Sequence, residues 1–160
     1  MDEENLSRAR AVLACRRLAL VGASRDPRSF SRAVQRELTA RCYDVVPVNP
    51  AAGEIGGAPA VARVQDAAPA PEAALIMTPP SLAAAAARDC LAAGVRRVWF
   101  HRGAGRGCAS EEAVALCRAQ GVEPVVDLCP FMVLDRAGFV HRLHAVLRRR
   151  ARPRRAAAPA

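Results

Sequence analysis

The stretch LALVGASRDPRSFSRAV, residues 18–34, passes from an apolar run through a short polar loop into a segment with helical spacing. The apolar run, residues 18–22, has the length of a buried strand. After the loop, apolar side chains recur on one helix face: Phe30, Ala33, Val34 and Leu38. This stretch therefore predicts the first strand and the first crossover helix of a parallel α/β sheet.

The same alternation recurs along the chain. Short apolar runs predict five strands, at residues 18–22, 43–48, 73–77, 95–100 and 122–127. Between the later runs, apolar residues take helical spacing: Leu82, Ala86, Cys90 and Ala93, then Val114 and Cys117. Buried strands that alternate with helices predict a Rossmann-like, doubly wound sheet of about five mainly parallel strands, with helices on both faces.

Capping residues fall at the ends of the predicted helices. Ser81 and Ser110 suit helix starts, and Gly94 and Gly121 suit the left-handed position that follows a helix end. Segment 51–72 is rich in Gly, Pro and Ala and predicts a loop crossover with little helix.

The two ends of the chain complete the expected domain. Residues 3–14 predict a short amphipathic helix, and a last helix is expected with a stripe of Phe139, Leu143 and Leu147. We expect one domain over residues 1–147 and a disordered basic tail over residues 148–160.

Composition bounds the functional class. The six cysteines show no CxxC spacing and predict reduced thiols, and no apolar run approaches the ~20 residues that a bilayer span requires. We therefore expect a cytoplasmic protein with no membrane partner. All 24 basic residues are arginine, which excludes lysine catalysis and the lysine-containing P-loop.

Arginines cluster at residues 148–155, in RRRARPRR. Such a cluster can neutralise nucleic-acid phosphates, but no stacking aromatics or recognition motif accompany it. We interpret it as a solvated terminus and do not expect nucleic-acid binding.

The loop after the first predicted strand has the features of an anion site. Gly22 permits a tight turn, Ala23 and Ser24 keep bulk away, and a helix that starts near Ser29 offers unpaired N–H groups. Three arginines can add positive charge: Arg25, Arg28 and Arg32. A multiply phosphorylated nucleotide fits this loop better than a neutral metabolite does.

Ligands of such sheets bind beyond the carboxyl ends of the strands. The other strand ends carry Asn49-Pro50, Thr78-Pro79-Pro80, His101-Arg102-Gly103 and Leu128-Cys129-Pro130. Only Gly22 of a G-x-G-x-x-G fingerprint is present, and Asn49 replaces the acid that ends the second strand of a dinucleotide site. NAD is therefore disfavoured.

Several segments together resemble a known family: VGAS, SFSRAVQRELTARCYDVVPVNP, TPP, AAGVRRVWFHRGA and CPFM. The resemblance, over residues 15–133, is to stand-alone CoA-binding domain proteins, relatives of the N-terminal domain of succinyl-CoA synthetase α subunits and of NDP-forming acyl-CoA synthetases. It implies that CoA or an acyl-CoA lies across the loops after the first three strands. The implied binding residues are Gly22, Ala23, Ser24 and Arg25 at the phosphates, Asn49 and Pro50 at the adenosine, and Thr78, Pro79 and Pro80 at the pantetheine. Ser29 and Phe30 are also expected to bind the cofactor.

The sequence departs from that family at three points. Ala51 and Ala52 follow Pro50, where many relatives carry a basic residue, and Cys42 stands where a glycine commonly ends the helix. The ligases also need a phosphohistidine domain and a nucleotide-binding partner, and the sequence contains neither. We therefore expect no ligase activity from this chain by itself.

An enzymatic alternative rests on Cys129 and His101, at the ends of neighbouring predicted strands, which could form a Cys–His acyl-transfer pair. Cys129 could equally be a small residue at a tight turn. His141 and His144 lack further ligands, so we predict no metal site, and Trp99, Met77 and Met132 are interpreted as packing residues.

Three functions follow, in order of preference. The first is a CoA or acyl-CoA binding module without chemistry of its own, acting as a sensor, carrier or accessory protein. A small thioester enzyme that uses Cys129 is the second, and nucleic-acid or partner binding through the arginine tail is the third. Self-association or a partner enzyme is compatible with the first.

Overall fold

The computed structural model describes residues 2–102 and 107–134. In this part of the chain, the helices are α1 (Glu3–Leu13), α2 (Phe30–Ala40), α3 (Pro80–Ala92) and α4 (Glu111–Ala119), with a short 3-10 helix at Val64–Asp66. The strands are β1 (Arg17–Val21), β2 (Asp44–Val48), β3 (Glu54–Ile55), β4 (Ala58–Pro59), β5 (Ala73–Ile76), β6 (Val98–His101) and β7 (Val125–Leu128).

Five strands form one parallel sheet in the order β2-β1-β5-β6-β7. In register, Val21 at the end of β1 lies between Val48 of β2 and Ile76 of β5. The chain order reverses between β1 and β5, and such a reversal opens a crevice at the carboxyl ends of the two strands. The predicted doubly wound α/β fold is confirmed.

Both faces of the sheet are buried because alternate residues of each strand point to opposite sides. Leu18 and Leu20 of β1 belong to one apolar cluster with the buried faces of α1 and α2. Ala19 and Val21 belong to a second cluster with α3 and α4. Within residues 2–102 and 107–134, two helices therefore cover each face, which explains why the strand sequences are nearly continuous apolar runs.

The helix ends agree with most of the capping predictions. The hydroxyl of Ser110 accepts the N–H of Ala113, and Gly94 and Gly121 adopt positive φ values of 79° and 69°. The prediction for Ser81 is wrong, because α3 begins at Pro80 with Pro79 as its N-cap residue. Proline suits the first helical turn, where its missing N–H would have no helical acceptor.

Three apolar residues differ from the packing that their spacing predicts. Leu82 in α3, Phe30 in α2 and Met132 after β7 have exposed fractions of 53%, 40% and 56%. In α3 the buried positions are held by alanines and Cys90, which let the helix approach the sheet closely. The fourth strand also begins later than predicted, at Val98, so residues 95–97 lie outside it.

The crossover between β2 and β5 has little helix, as predicted, but it contains a hairpin that the sequence did not reveal. Strands β3 and β4 pair antiparallel through Ile55 and Ala58. Further along, Val61 exchanges backbone hydrogen bonds with both sides of Val48, the last residue of β2: Val61 N donates to Pro47 O, and Asn49 N donates to Val61 O. This crossover therefore covers the outer edge of the sheet.

Cys42 ends α2 in a left-handed conformation, with φ of 66°. Its N–H donates to Thr39 O, and the N–H of Tyr43 donates to Leu38 O, so the turn is a Schellman motif. The glycine that this position favours is replaced by a residue with a strained backbone.

We expect Cys42→Gly to stabilise the fold by about 0.5–1 kcal/mol. A left-handed residue with a side chain is destabilising by about 1–2 kcal/mol, and the added chain entropy of glycine offsets part of the gain. Chemical denaturation of both proteins measures the difference. Equal or lower stability of the variant would show that Cys42 makes a contact worth more than the strain.

Some predicted features lie outside the described residues. These are the last helix with Phe139, Leu143 and Leu147, the two histidines His141 and His144, Gly103, and the basic tail. Within the described ranges, no helix has the length and apolar character needed to cross a membrane.

Candidate functional site

The loops that follow β1, β2 and β5 meet at one edge of the sheet, at the point where the strand order reverses. Gly22, in the loop after β1, lies in close contact with Thr78, in the loop after β5. It has φ of 84°, and a Cβ built on it would lie 2.9 Å from both the backbone N and the Cγ2 of Thr78. Its N–H donates to Val48 O over 3.0 Å. The glycine therefore packs the first loop against the ends of both neighbouring strands.

Asn49 joins the first and second loops. Its amide Nδ2 donates to Ala23 O at 2.7 Å, and its Oδ1 accepts the N–H of Ala51 at 2.8 Å. Both polar atoms of the side chain thus hold backbone groups of the protein. Asn49 orders the two loops, and Pro50 beside it is exposed.

Four backbone N–H groups around the first loop donate to no acceptor within the described residues: Ala23, Arg25, Phe30 and Ser31. The loop is ordered by side chains instead. Ser29 caps α2 by accepting the N–H of Arg32 at 3.3 Å, and the Ser31 hydroxyl accepts the N–H of Ser24 at 3.0 Å. The Ser24 hydroxyl accepts the N–H of Asp26. The first loop and the start of α2 therefore both carry free N–H donors, and those of Phe30 and Ser31 lie at the positive end of the helix.

The three arginines near this loop have different environments. Arg28 lies 3.7 Å from the carboxylate of Asp26, and its side chain is 92% exposed. Arg25 is exposed and forms no ion pair within the described ranges. Arg32 is half-buried and turns along α2, where its Nη1 donates to Gln35. Of these three arginines, only Arg25 and Arg32 have no carboxylate partner in the described structure.

Thr78 presents a buried hydroxyl below the first loop. Its Oγ1 has no hydrogen-bond partner in the described structure, although the residue is only half-buried. Pro79 and Pro80 follow it and form the exposed start of α3. An unpaired buried hydroxyl is unfavourable, so Thr78 leaves an unsatisfied hydrogen-bonding group at this edge of the sheet.

Contacts among three aromatic rings connect the start of α2 with the end of β6 and the segment after β7. Phe30, at the start of α2, stacks on His101 with centroids 4.5 Å apart and contacts Phe131 edge-on at 5.5 Å. Because β5 lies between β1 and β6, the Phe30–His101 pair spans the end of β5. The His101 Nδ1 is buried without a partner in the described structure, and burial lowers the pKa of its imidazole below the usual 6.5.

The depressed pKa of His101 predicts a pH effect on stability. The unfolded chain binds a proton near pH 6.5, before the folded chain does, so stability should fall as pH drops through 6.5 toward the folded pKa. His101→Gln removes this group, and the loss of unfolding free energy between pH 7.5 and 5.0 should be smaller in the variant. Denaturation at the two pH values measures it. Identical losses would contradict a depressed pKa.

Cys129 follows β7 and is half-buried. Its thiol makes no hydrogen bond to His101 in the described structure, where His101 instead stacks on Phe30. The buried thiols Cys90 and Cys108 have pKa values raised to about 12 by burial, and Cys117 to about 11, so these groups stay protonated. No cluster of three or more His, Cys, Asp or Glu side chains suited to a metal occurs among the described residues.

Two features of this region had no sequence signal. Phe131 contacts Phe30, which in turn stacks on His101, although all three residues are far apart along the chain. The β3–β4 hairpin packs on α2 through Gln35, whose Nε2 donates to Ile55 O at 2.8 Å. Both contacts are long-range, and periodicity and capping report only local structure.

Comparisons with known proteins agree with this geometry. A model of the CoA binding domain matches residues 16–135. A hypothetical protein from Pyrococcus horikoshii OT3 is 25% identical, with a TM-score of 0.75, and the match covers 85% of this chain and 92% of that one. A Thermus thermophilus protein, cell-free ID.343, is 27% identical, with a TM-score of 0.72 and coverage of 85% and 98%.

A larger enzyme shares the fold over part of its length. The dinucleotide-forming acetyl-coenzyme A synthetase 1 of Ca. Korarchaeum cryptofilum is 27% identical with a TM-score of 0.60, and the match covers 68% of this chain and 25% of the synthetase. The family model spans most of the chain and includes every loop of the crevice. The chain therefore belongs to the CoA-binding domain family.

Proposed function

We propose that this protein binds CoA or an acyl-CoA across the loops after β1, β2 and β5, as a binding module without chemistry of its own. The observation that carries the proposal is the group of free N–H donors, at Ala23 and Arg25 in the first loop and at Phe30 and Ser31 at the start of α2. Backbone donors at a helix N-terminus favour a phosphate group.

The residues present fit such a ligand in two further respects. The unpartnered Thr78 hydroxyl can pair with an amide of a pantetheine arm, since such an arm is apolar with a few amide groups. The close contact of Gly22 with Thr78 keeps the first loop and the β5 loop together, so that one ligand can reach both. When bound, CoA would supply a thiol that carries an acyl group.

The chain's own residues would hold the ligand in three ways. The free N–H groups donate to the diphosphate, and Arg25 adds an exposed positive charge next to them. Asn49 keeps the adenosine side of the site in place by tying Ala23 to the second loop. The apolar rings of Phe30 and Phe131 give the crevice a wall on the far side.

Thermal unfolding with CoA, acetyl-CoA, 3′-dephospho-CoA and NAD tests the proposal. A ligand at 100 times its Kd stabilises the fold by about 2.7 kcal/mol, so the CoA species should raise Tm and NAD should not. Absence of a shift with every CoA species at millimolar concentration would overturn CoA binding. Release of free thiol from acetyl-CoA that disappears in Cys129→Ser would overturn the absence of chemistry.

A further inference from the structure

Three rings form an apolar surface at the carboxyl end of β6. We call it the ring surface, and it consists of Phe30, His101 and Phe131. Phe30 stacks on His101 with centroids 4.5 Å apart and meets Phe131 edge-on at 5.5 Å. Phe30 is 40% exposed, and the other two residues are half-buried. Part of this aromatic area therefore contacts water, and an apolar group that covered it would bind favourably.

The ring surface carries no free charge at its β6 end. The Nδ1 of His101 is buried, and burial lowers the pKa of the imidazole below 6.5, so the ring is neutral at pH 7. The next residue, Arg102, is already paired, because its Nη1 lies 2.8 Å from the carboxylate of Asp127. A neutral apolar group can therefore cover these rings without withdrawing an unpaired charge from water.

The ring surface is continuous with the loops to which the proposed function assigns the ligand. Phe30 belongs to both, since its backbone N–H is one of the free donors and its side chain is the central ring of the surface. In the sheet, β5 lies between β1 and β6. The stack of Phe30 on His101 therefore spans the end of β5, and Thr78 lies two residues beyond that end.

The strand order gives the ligand a direction. In the proposed function, the diphosphate lies at the loop after β1 and the pantetheine arm at Thr78, after β5. The next strand is β6, which ends at His101. Neighbouring strands lie about 4.8 Å apart, so β6 is roughly 10 Å from β1. An extended pantetheine arm is longer than this distance, so the group on its sulfur can reach the ring surface.

We propose that the ring surface binds the acyl group of a CoA thioester, and that the protein prefers aliphatic acyl-CoA to free CoA. This inference rests on the proposed function, which places the pantetheine arm. Methylene groups that cover Phe30 and Phe131 gain hydrophobic free energy. An acyl group that ends in a carboxylate would lose hydration, and neither His101 nor Arg102 offers it an unpaired charge.

The other exposed apolar side chains are less suited to this role. Met132 follows Phe131 but lines a different pocket, of about 470 Å³, together with Asn5 and Leu128. Leu82 is exposed in α3, and α3 packs on the opposite face of the sheet from α2. Leu82→Ala therefore removes exposed apolar area away from the ring surface and provides a matched control.

Titration calorimetry of the full chain with CoA, acetyl-CoA, butyryl-CoA and hexanoyl-CoA tests the proposal. Each fully buried methylene strengthens binding by about fourfold, and methylenes on an open surface are only partly buried. Hexanoyl-CoA should therefore bind wild type at least about tenfold more tightly than acetyl-CoA does. Succinyl-CoA has as many acyl carbons as butyryl-CoA but ends in a carboxylate, and it should bind more weakly than butyryl-CoA.

Two substitutions remove the phenylalanine rings one at a time. Phe30→Ala keeps the backbone N–H that the proposed function assigns to the phosphates, and Phe131→Ala removes the ring that meets Phe30 edge-on. Each should lower the ratio of hexanoyl-CoA to acetyl-CoA affinity by at least about threefold, and Leu82→Ala should keep the wild-type ratio. The ratio is taken within each protein, so a general change in CoA affinity cancels. Circular dichroism establishes folding, and Phe30→Ala, at a part-exposed position, carries the test if Phe131→Ala does not fold.

The outcomes separate the two proposals. If wild type binds CoA but its affinity does not rise with acyl length, the ring surface does not bind the acyl group, and CoA binding stands. Tighter binding of succinyl-CoA than of butyryl-CoA also overturns the inference. So does a wild-type ratio in Phe30→Ala, or an equal fall of the ratio in Leu82→Ala. If wild type binds no CoA species, the proposed function fails and this inference fails with it.

Discussion

Replacement of Gly22 by alanine is expected to destabilise the fold by about 2–5 kcal/mol. A left-handed backbone with a Cβ contributes about 1–2 kcal/mol, and overpacking contributes about 1–3 kcal/mol. The new methyl group would lie 2.9 Å from the backbone N of Thr78 and 3.1 Å from the carbonyl carbon of Met77. Because these are backbone atoms directly after β5, they cannot move aside as a flexible side chain can.

Gly94→Ala is the matched control for this experiment. Gly94 has φ of 79°, close to the 84° of Gly22, but a Cβ on it would meet nothing within 4 Å. Gly94→Ala should lose about 1–2 kcal/mol of stability, from backbone strain alone. Gly22→Ala should lose at least about 1 kcal/mol more, because its methyl group also meets the backbone of Thr78. Denaturant unfolding measures both. Equal losses of unfolding free energy in the two variants would show that Gly22 is not in close contact with the loop after β5.

The same variant tests the site. A shift of the first loop away from Thr78 would change the positions of the free N–H groups at Ala23 and Arg25. We expect Gly22→Ala to weaken CoA binding by at least about tenfold and Gly94→Ala to leave it unchanged. Full CoA affinity in a folded Gly22→Ala protein would contradict the assignment of this loop to the phosphates.

Much of this fold could be predicted because its signals are local. Apolar runs of strand length alternate with helical spacing, Ser29 and Ser110 cap helices, and Gly121 ends one. Each signal depends on a few neighbouring residues, and together they predicted a parallel sheet with helices on both faces. The first loop was recognisable for the same reason, since Gly22 and Ser29 lie within one short segment.

The hairpin and the orientation of Arg32 could not be predicted in this way. Strands β3 and β4 have two residues each, too few to show a period. The direction of the Arg32 side chain depends on Gln35 and its bond to Ile55, 20 positions along the chain. The sequence identified Arg32 as one of three cations, and only the packed structure separates it from Arg25 and Arg28.

Asn49 illustrates the same limit at a residue that the sequence assigned to the site. Its position after β2 was evident from the strand pattern. That its amide joins Ala23 to Ala51 became visible only when the strands were placed side by side. Asn49 thus has two expected roles, one in the stability of the fold and one beside the adenosine. Measuring both stability and CoA affinity of one Asn49 variant tests the two roles separately.

Asn49→Asp is expected to destabilise the fold by about 2–4 kcal/mol at pH 7. The variant loses the donor at 2.7 Å from Ala23 O and places a carboxylate oxygen against that carbonyl oxygen. A buried acceptor without its donor is destabilising by about 1–3 kcal/mol, and the repulsion between the two oxygens adds to this. The new negative charge also lies beside the proposed diphosphate site, so CoA affinity should fall by at least about tenfold.

The pH dependence of this variant has a definite sign. Once protonated, the introduced carboxyl could again donate to Ala23 O, so folding should raise its pKa above the ordinary value of about 3.9. The folded variant then binds the proton first as pH falls, and its stability deficit relative to wild type should shrink from pH 7 toward pH 4. Denaturation of both proteins at several pH values measures the deficit. A deficit independent of pH would show that Ala23 O is not near the carboxyl.

Asn5→Asp provides the matched control. Like Asn49, Asn5 uses both polar atoms of its amide to bind backbone groups, but it lies away from the loops after β1, β2 and β5. Its Nδ2 donates to Val126 O at 2.7 Å and its Oδ1 accepts the N–H of Val126 at 3.3 Å, on the outer strand β7. Asn5→Asp should therefore lose comparable stability and keep wild-type CoA affinity. If both variants lose CoA affinity in proportion to their stability, Asn49 has no special place in binding. If only Asn49→Asp loses it while still folded, the second loop is part of the binding site.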